Sequence, residues 1–188
     1  MEQLERVFTF KRLRLEQESL LINHIIAFPK DLSSELKEIK GPFSFQEQEF
    51  LLGIQENGRL FIIEVAKELN EVLLYRSLIH WNWSMKRIET LKKDSFEGKL
   101  DSSLKPAILY LLPSYSKMFV EVLKNLDPPV PTYLVQYQYI GCEDTKGFLF
   151  DLIKSPSESS YILKEKDKKA VDTDVSGITK EEIEAFLT

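Results

Sequence analysis

The sequence holds one cysteine, Cys142, and two histidines, His24 and His80. A lone cysteine excludes an internal disulfide framework and a cysteine-based zinc site. Two histidines support neither a multi-histidine metal site nor, with Cys142, a Cys-His nucleophile pair. Glycine is sparse, at seven residues, and no phosphate-cradling loop is formed from them, so nucleotide hydrolysis finds no support. Ser114 and Ser116 sit between a strand-like and a helix-like stretch, but no Gly-x-Ser-x-Gly elbow surrounds them. No apolar run reaches the roughly 18 residues needed to span a bilayer. The first residues, MEQLERVFTFKRLRLEQE, lack the uninterrupted apolar stretch of a secretory signal. The expectation is a cytoplasmic protein without a membrane partner.

An excess of positive charge is missing too. The net charge is −5, and residues 155–188, with five Lys and eight Asp/Glu, contribute −3 of it. A polycation that holds nucleic acid by bulk electrostatics is thereby excluded. A local basic groove is not. The clusters Lys11-Arg12-Arg14, Lys86-Arg87 and Lys92-Lys93 are candidates for phosphate contact, set against the ordinary reading of charge runs as solvated faces.

What is present suits a folded domain: 188 residues, 43% hydrophobic and 11% aromatic, enough for a substantial core. Residues 1–154 are expected to form one α/β domain. Residues 155–188 read as a polar linker or tail. It ends in a short helix, ITKEEIEAFLT, with Thr179 as cap and Glu182 at the capping-box position.

Within the domain, Val7 to Phe10 suggests a short strand, and Glu16 to Phe28 a helix stopped by Pro29. Residues 30–44 are polar, contain Gly41-Pro42, and read mostly as connection. Strands are expected near 46–54 and 60–65, joined as a hairpin through Asn57-Gly58. Residues 67–93 lack Gly and Pro and suit a helix, with Leu69, Leu73, Arg76, His80 and Trp83 at spacings of three or four. Ala107 to Leu112 is a continuous apolar run that fits a strand buried on both faces. Ser116 to Leu126 reads as an amphipathic helix. The stretch Asp127-Pro128-Pro129-Val130-Pro131 reads as a stiff connector, and TYLVQYQYI as a strand with Tyr133, Val135, Tyr137 and Tyr139 on one face. Phe148 to Ile153 adds a last strand. A strand–helix–strand unit implies a mixed or parallel sheet with helices packed on it.

The chemistry centres on EFLLGIQENGRLFIIEVAK, residues 49–67. Glu49 opens one strand of the expected hairpin and Glu64 nears the end of the other. If both strand ends face one cleft, the two carboxylates can approach a single Mg²⁺, a hard cation that prefers oxygen ligands. Such an ion polarises a phosphodiester and lowers the pKa of bound water. A nearby lysine would orient that water and offset developing charge. Glu47 is the alternative to Glu49, and Glu16 or Glu18 can add a further carboxylate. Taken singly, each glutamate at a strand end is ordinarily a solvent-facing charge. His24 reads as a helix-face residue, and His80, Trp81 and Trp83 as a helix packing on the sheet.

A carboxylate on one hairpin strand, followed by an apolar strand ending in Glu-x-Lys, resembles the signature of the PD-(D/E)XK nuclease superfamily. The chain looks most similar to its branch of archaeal and actinobacterial mismatch endonucleases and their uncharacterised relatives. Four segments carry the likeness: EQESLLINHIIAFPKDL, EFLLGIQENGRLFIIEVAK, the helix holding YRSLIHWNW, and ILYLLPSYSKMFVEVLKNL followed by YLVQYQYI. They span most of residues 15–140. The resemblance implies a restriction-endonuclease-like core, a central mixed β-sheet flanked by helices. It also implies Mg²⁺, with Mn²⁺ as a substitute, a DNA partner and a homodimer. Residue by residue, it makes Glu49 and Glu64 the metal-binding acids. The lysine position, two residues beyond Glu64, is Ala66, and Lys67 lies three beyond. On a regular strand Lys67 points away from Glu64 unless a bulge or the next helix returns it. Where relatives often have Gln and then Tyr one turn later, this chain has Arg76 and His80, candidates for nucleic-acid contact.

Two readings follow. In one, the protein is a Mg²⁺-dependent DNA endonuclease in which Glu49 and Glu64 bind metal and Lys67 positions water. In the other, the scaffold is retained without catalysis, as a module that binds nucleic acid or protein.

Overall fold

The computed structural model describes residues 9–126, 130–142 and 145–153, the Glu71 side chain excepted. Val7 and Phe8 of the expected first strand lie outside these residues, as do most of the expected connector, at 127–129, and the polar tail from 155 with its terminal helix.

Among the described residues, seven strands form one mixed sheet with helices on both faces, the α/β class expected. Its centre is parallel. β4 (Leu60–Val65) pairs with β5 (Ala107–Leu112), and β5 with β6 (Thr132–Cys142). The margins are antiparallel. β3 (Gln48–Gln55) pairs with β4, and β2 (Leu36–Phe45) with β3. On the other side β7 (Thr145–Ile153) runs along β6, and the two-residue β1 (Lys11–Arg12) meets β6 at Ile140 and Gly141.

The β3–β4 hairpin forms where Asn57-Gly58 places it. Gly58 adopts φ +88°, and a Cβ there would stand 3.0 Å from the Asp101 backbone nitrogen, so the turn needs glycine both for its backbone and for the passing chain. β4 and β5 are buried at every residue, as continuous apolar runs in a covered parallel sheet should be.

Side-chain alternation divides the core. One face carries Leu51, Ile63, Val65, Leu109, Leu111, Val135 and Tyr137 against Leu21 and Ile25 of α1 (Glu18–Ala27). Tyr133 and Tyr139 join this cluster, which puts the four alternating residues of β6 on one face as their spacing predicts. The opposite face carries Leu52, Ile54, Leu60 and Ile62 against Leu91 of α4 (Ile88–Asp94). Beside them, Ile108, Tyr110 and Leu112 pack against Leu73 of α3 (Glu71–Lys86) and Phe119 and Leu123 of α5 (Lys117–Lys124).

Four expectations change. Thr9 and Phe10, the described half of the expected first strand, are not in a strand, and β1 lies just beyond them at Lys11–Arg12. Residues 36–45 are a ten-residue strand rather than connection. As the edge of the sheet, β2 needs few apolar residues, and its register shifts between Lys40 and Phe43 absorb Gly41-Pro42, the kind of place where a sheet tolerates proline. The helix expected over 67–93 starts at Glu71 and breaks at Arg87. Asn70 caps it, its Oδ1 accepting the Leu73 N–H at 2.9 Å, a contribution of about 1 kcal/mol. Pro29 ends α1 and also opens the short α2 (Pro29–Leu32) as its first residue.

Candidate functional site

Glu64 is the fourth residue of the buried run FIIEV and is fully inaccessible. Its neighbours Ile63 and Val65 face α1, so alternation sends its side chain to the α3 face. There α3 offers Arg76 and His80, one turn apart. His80 Nδ1 lies 2.6 Å from Glu64 Oε1. Arg76 Nε donates to Oε2 at 3.0 Å, and its Nη2 lies 3.0 Å from the same oxygen. Both carboxyl oxygens are thus engaged from within the protein. Phe50 of β3 stacks on His80 at 4.2 Å between ring centroids, sealing the group from the hairpin side. His80 Nε2 and Ser84 Oγ are buried without a hydrogen-bond partner among the described residues.

Glu49 lies elsewhere. Leu51 pairs with Ile63, and continuing that register by two residues sets Glu49 opposite Val65, on the α1 face. Glu49 is exposed and lines a small depression with Glu18, Ile22, Ile63 and Val65. The sheet therefore stands between Glu49 and Glu64. The condition for a shared ion, both strand ends facing one cleft, is not met, and these two carboxylates do not fit a single Mg²⁺. Among the described residues no group of three or more His, Cys, Asp or Glu is placed to hold a metal ion.

Lys67 lies just beyond β4, and its ammonium donates to the Glu16 carbonyl at 3.0 Å. It stands on the α1 side with Glu18 and takes no part in the Glu64 group, the outcome that three-residue spacing predicts. Glu18 is half-buried. Burial raises its carboxyl above the usual range, and Arg76 and Lys67 partly oppose that rise.

Lys67 also borders a cleft of about 610 Å³, beside the carboxyl ends of β4 and β5. Arg12, Arg14, Glu16, Glu68, Tyr137 and Tyr139 line it with Pro113, which follows β5. Arg12 Nη2 donates to the Pro113 carbonyl at 3.5 Å. Burial, with Glu18 nearby, pushes the Tyr137 hydroxyl up to about 12, and that hydroxyl donates to the Ala66 carbonyl at 3.4 Å. In open α/β sheets, ligands bind outside the carboxyl ends of parallel strands.

The structure thus joins Glu64, Arg76 and His80, and leaves Glu49 and Lys67 on the other face. His80 is fully buried and offers no surface to a base, while Arg76 is partly exposed. Sequence reasoning overlooked the pairing of Glu64 with Arg76 and His80. A signal existed: an acid inside an apolar run that is buried on both faces demands partners, and a helix carrying a cation and a histidine four apart can supply them.

No family model and no curated protein matches this chain. Solved structures that resemble it include a repair endonuclease from Pyrococcus abyssi, at 13% identity over 60% of this chain and 45% of that one, with a TM-score of 0.41. EndoMS in apo form gives 13% over 60% and 44%, TM-score 0.39. A complex of EndoMS with double-stranded DNA gives 16% over 62% and 46%, TM-score 0.38. The chain spans less than half the length of each.

Proposed function

We propose that this protein binds nucleic acid on a nuclease-like scaffold through the cleft of Arg12, Arg14 and Lys67, and that Glu64 serves the fold rather than a metal. The observation that carries this reading is the pairing of both Glu64 oxygens with Arg76 and His80, together with an open cleft in which three cations outnumber two acids, Glu16 and Glu68, beside two tyrosines. Three clustered cations can neutralise successive phosphates although the chain as a whole is acidic. Tyr139, partly exposed at the wall, adds an aromatic surface. The test is fluorescence anisotropy with labelled single- and double-stranded DNA and RNA. Binding that falls with salt and is lost in an Arg12→Glu/Arg14→Glu double variant supports the reading. Affinity unchanged in that variant defeats it.

A Mg²⁺-dependent endonuclease is the second reading. It is favoured by the common side of the sheet on which Glu18, Glu49 and Lys67 stand. In that case the acids that matter are Glu18 and Glu49, with Lys67, and Glu64 acts only through folding. Incubating the protein with mismatched, branched and single-stranded DNA in Mg²⁺ or Mn²⁺ decides between the two. Cleavage abolished by Glu49→Gln establishes the enzyme.

A further inference from the structure

The long margin strands β2 and β7 are built differently. β2 carries two register shifts and the Gly41-Pro42 pair, devices that keep a sheet edge from pairing with another chain. β7 has neither. Thr145 to Ile153 pair with β6 through nine consecutive residues without a shift, and among the described residues β7 pairs with no other strand. The strand has no proline and two charges, Lys146 and Asp151. Its outer row of backbone N–H and C=O groups is thus a template for a further strand.

Exposed apolar surface gathers at the same edge. Leu20, Phe28, Leu149, Leu152 and Ile153 are five of the ten exposed large apolar residues among those described. The β6 register sets Leu152 opposite Val135, on the α1 face, and Leu149 and Ile153 opposite Gln138 and Leu134, on the other. Leu20, His24 and Phe28 follow one another at spacings of four and share one face of α1 and its cap. His24 lies against Phe148 and Phe150 of β7, with ring centroids 5.2 and 5.9 Å away. The helix stripe therefore runs beside the strand edge.

A free peptide added as a strand would cover the β7 backbone and leave the α1 stripe in water. A second copy of this chain brings both a strand and a stripe. Pairing β7 antiparallel to itself within one sheet requires a twofold axis perpendicular to the sheet, and that axis keeps the two α1 helices on one face. The register that overlaps all nine residues of β7 centres on Leu149. It sets Leu149 against its own copy, Phe148 against Phe150, Lys146 against Leu152 and Asp151 against Gly147. No like charges meet, and apolar and aromatic side chains pair across the strands. The surface is self-complementary, as a twofold contact must be.

We propose that β7, with the Leu20–Phe28 face of α1, is the interface of a homodimer in which two sheets join edge to edge. The proposal does not rest on the nucleic-acid reading.

Sedimentation equilibrium of the full chain without nucleic acid, over a concentration series, is expected to show monomer and dimer in exchange. Leu149→Lys puts like charges at the twofold axis and is expected to raise the dissociation constant at least tenfold, and Phe28→Lys at least threefold. Both positions are exposed, so circular-dichroism melts are expected to stay near wild type. Met118→Lys, at an exposed apolar position on α5, is expected to leave the dimer unchanged. In a Cys142→Ser background, Leu149→Cys is expected to give an intermolecular disulfide on mild oxidation, since residues directly opposite have Cβ atoms about 4.5–5.5 Å apart. Thr145→Cys is not, because eight strand residues, about 27 Å, separate it from its copy. A chain that is monomeric at every concentration overturns the proposal. So does a dimer indifferent to Leu149→Lys, one weakened equally by Met118→Lys, or cross-linking through Thr145→Cys as readily as through Leu149→Cys.

Discussion

His80 Nδ1 lies 2.6 Å from Glu64 Oε1, and both residues are fully buried. A helix residue and a strand residue thus meet in the core of the domain, with Arg76 on the second oxygen. Breaking a buried ion pair by removing one partner leaves the other uncompensated and costs about 3–5 kcal/mol. Glu64→Ala is expected to lose that much stability in urea unfolding, with Glu64→Gln losing less. A surface metal ligand would lose almost nothing on the same substitution.

The cleft cations are exposed and contribute little to the fold. Arg14→Ala or Lys67→Ala is expected to unfold at nearly the wild-type urea midpoint. Each is expected to weaken nucleic-acid binding across sequences and to reduce the slope of log affinity against log salt by about 1, the signature of one lost phosphate contact.

Glu18 gives a pH prediction. Its carboxyl is raised in the folded protein above the ordinary value of 4.5 by burial, with Arg76 and Lys67 opposing. A raised folded-state value means that the protonated form favours folding. That contribution is fully present below pH 4.5 and lost as pH rises through the folded-state value. Glu18→Gln removes the dependence. Its melting temperature is expected to exceed wild type at pH 7, with the difference shrinking as pH falls towards 4.5, as followed by circular dichroism.

Gly58→Ala probes the hairpin. The backbone at φ +88° disfavours any L side chain, and the new Cβ would press on the Asp101 nitrogen and the Lys99 carbonyl at 3.0 and 3.1 Å. Both contacts are backbone and cannot swing aside. The expected loss is at least about 1–2 kcal/mol, measured by chemical denaturation.

Much of the fold is legible in the residues themselves. Asn57-Gly58 between two apolar runs encodes the β3–β4 hairpin, Ala107–Leu112 encodes a strand covered on both sides, and the alternation of Tyr133, Val135, Tyr137 and Tyr139 encodes one face of β6. β2 is not legible, because an edge strand with exposed polar residues and a Gly-Pro pair looks like a loop until its partner is known. The break at Arg87 is hidden for a related reason, since nothing local forbids a continuous helix there.

The sequence by itself determined which side chains each strand could offer: two glutamates, a displaced lysine, and a helix with Arg76 and His80 one turn apart. Period-two alternation already turned Lys67 away from Glu64. Only the tertiary structure decided what Glu49 and Glu64 can do together. The pairing of Leu51 with Ile63 puts them on opposite faces, because one residue of register inverts every side chain of a strand. The packing of α3 then buries Glu64, and a carboxyl group taken out of water must find its partners inside the protein.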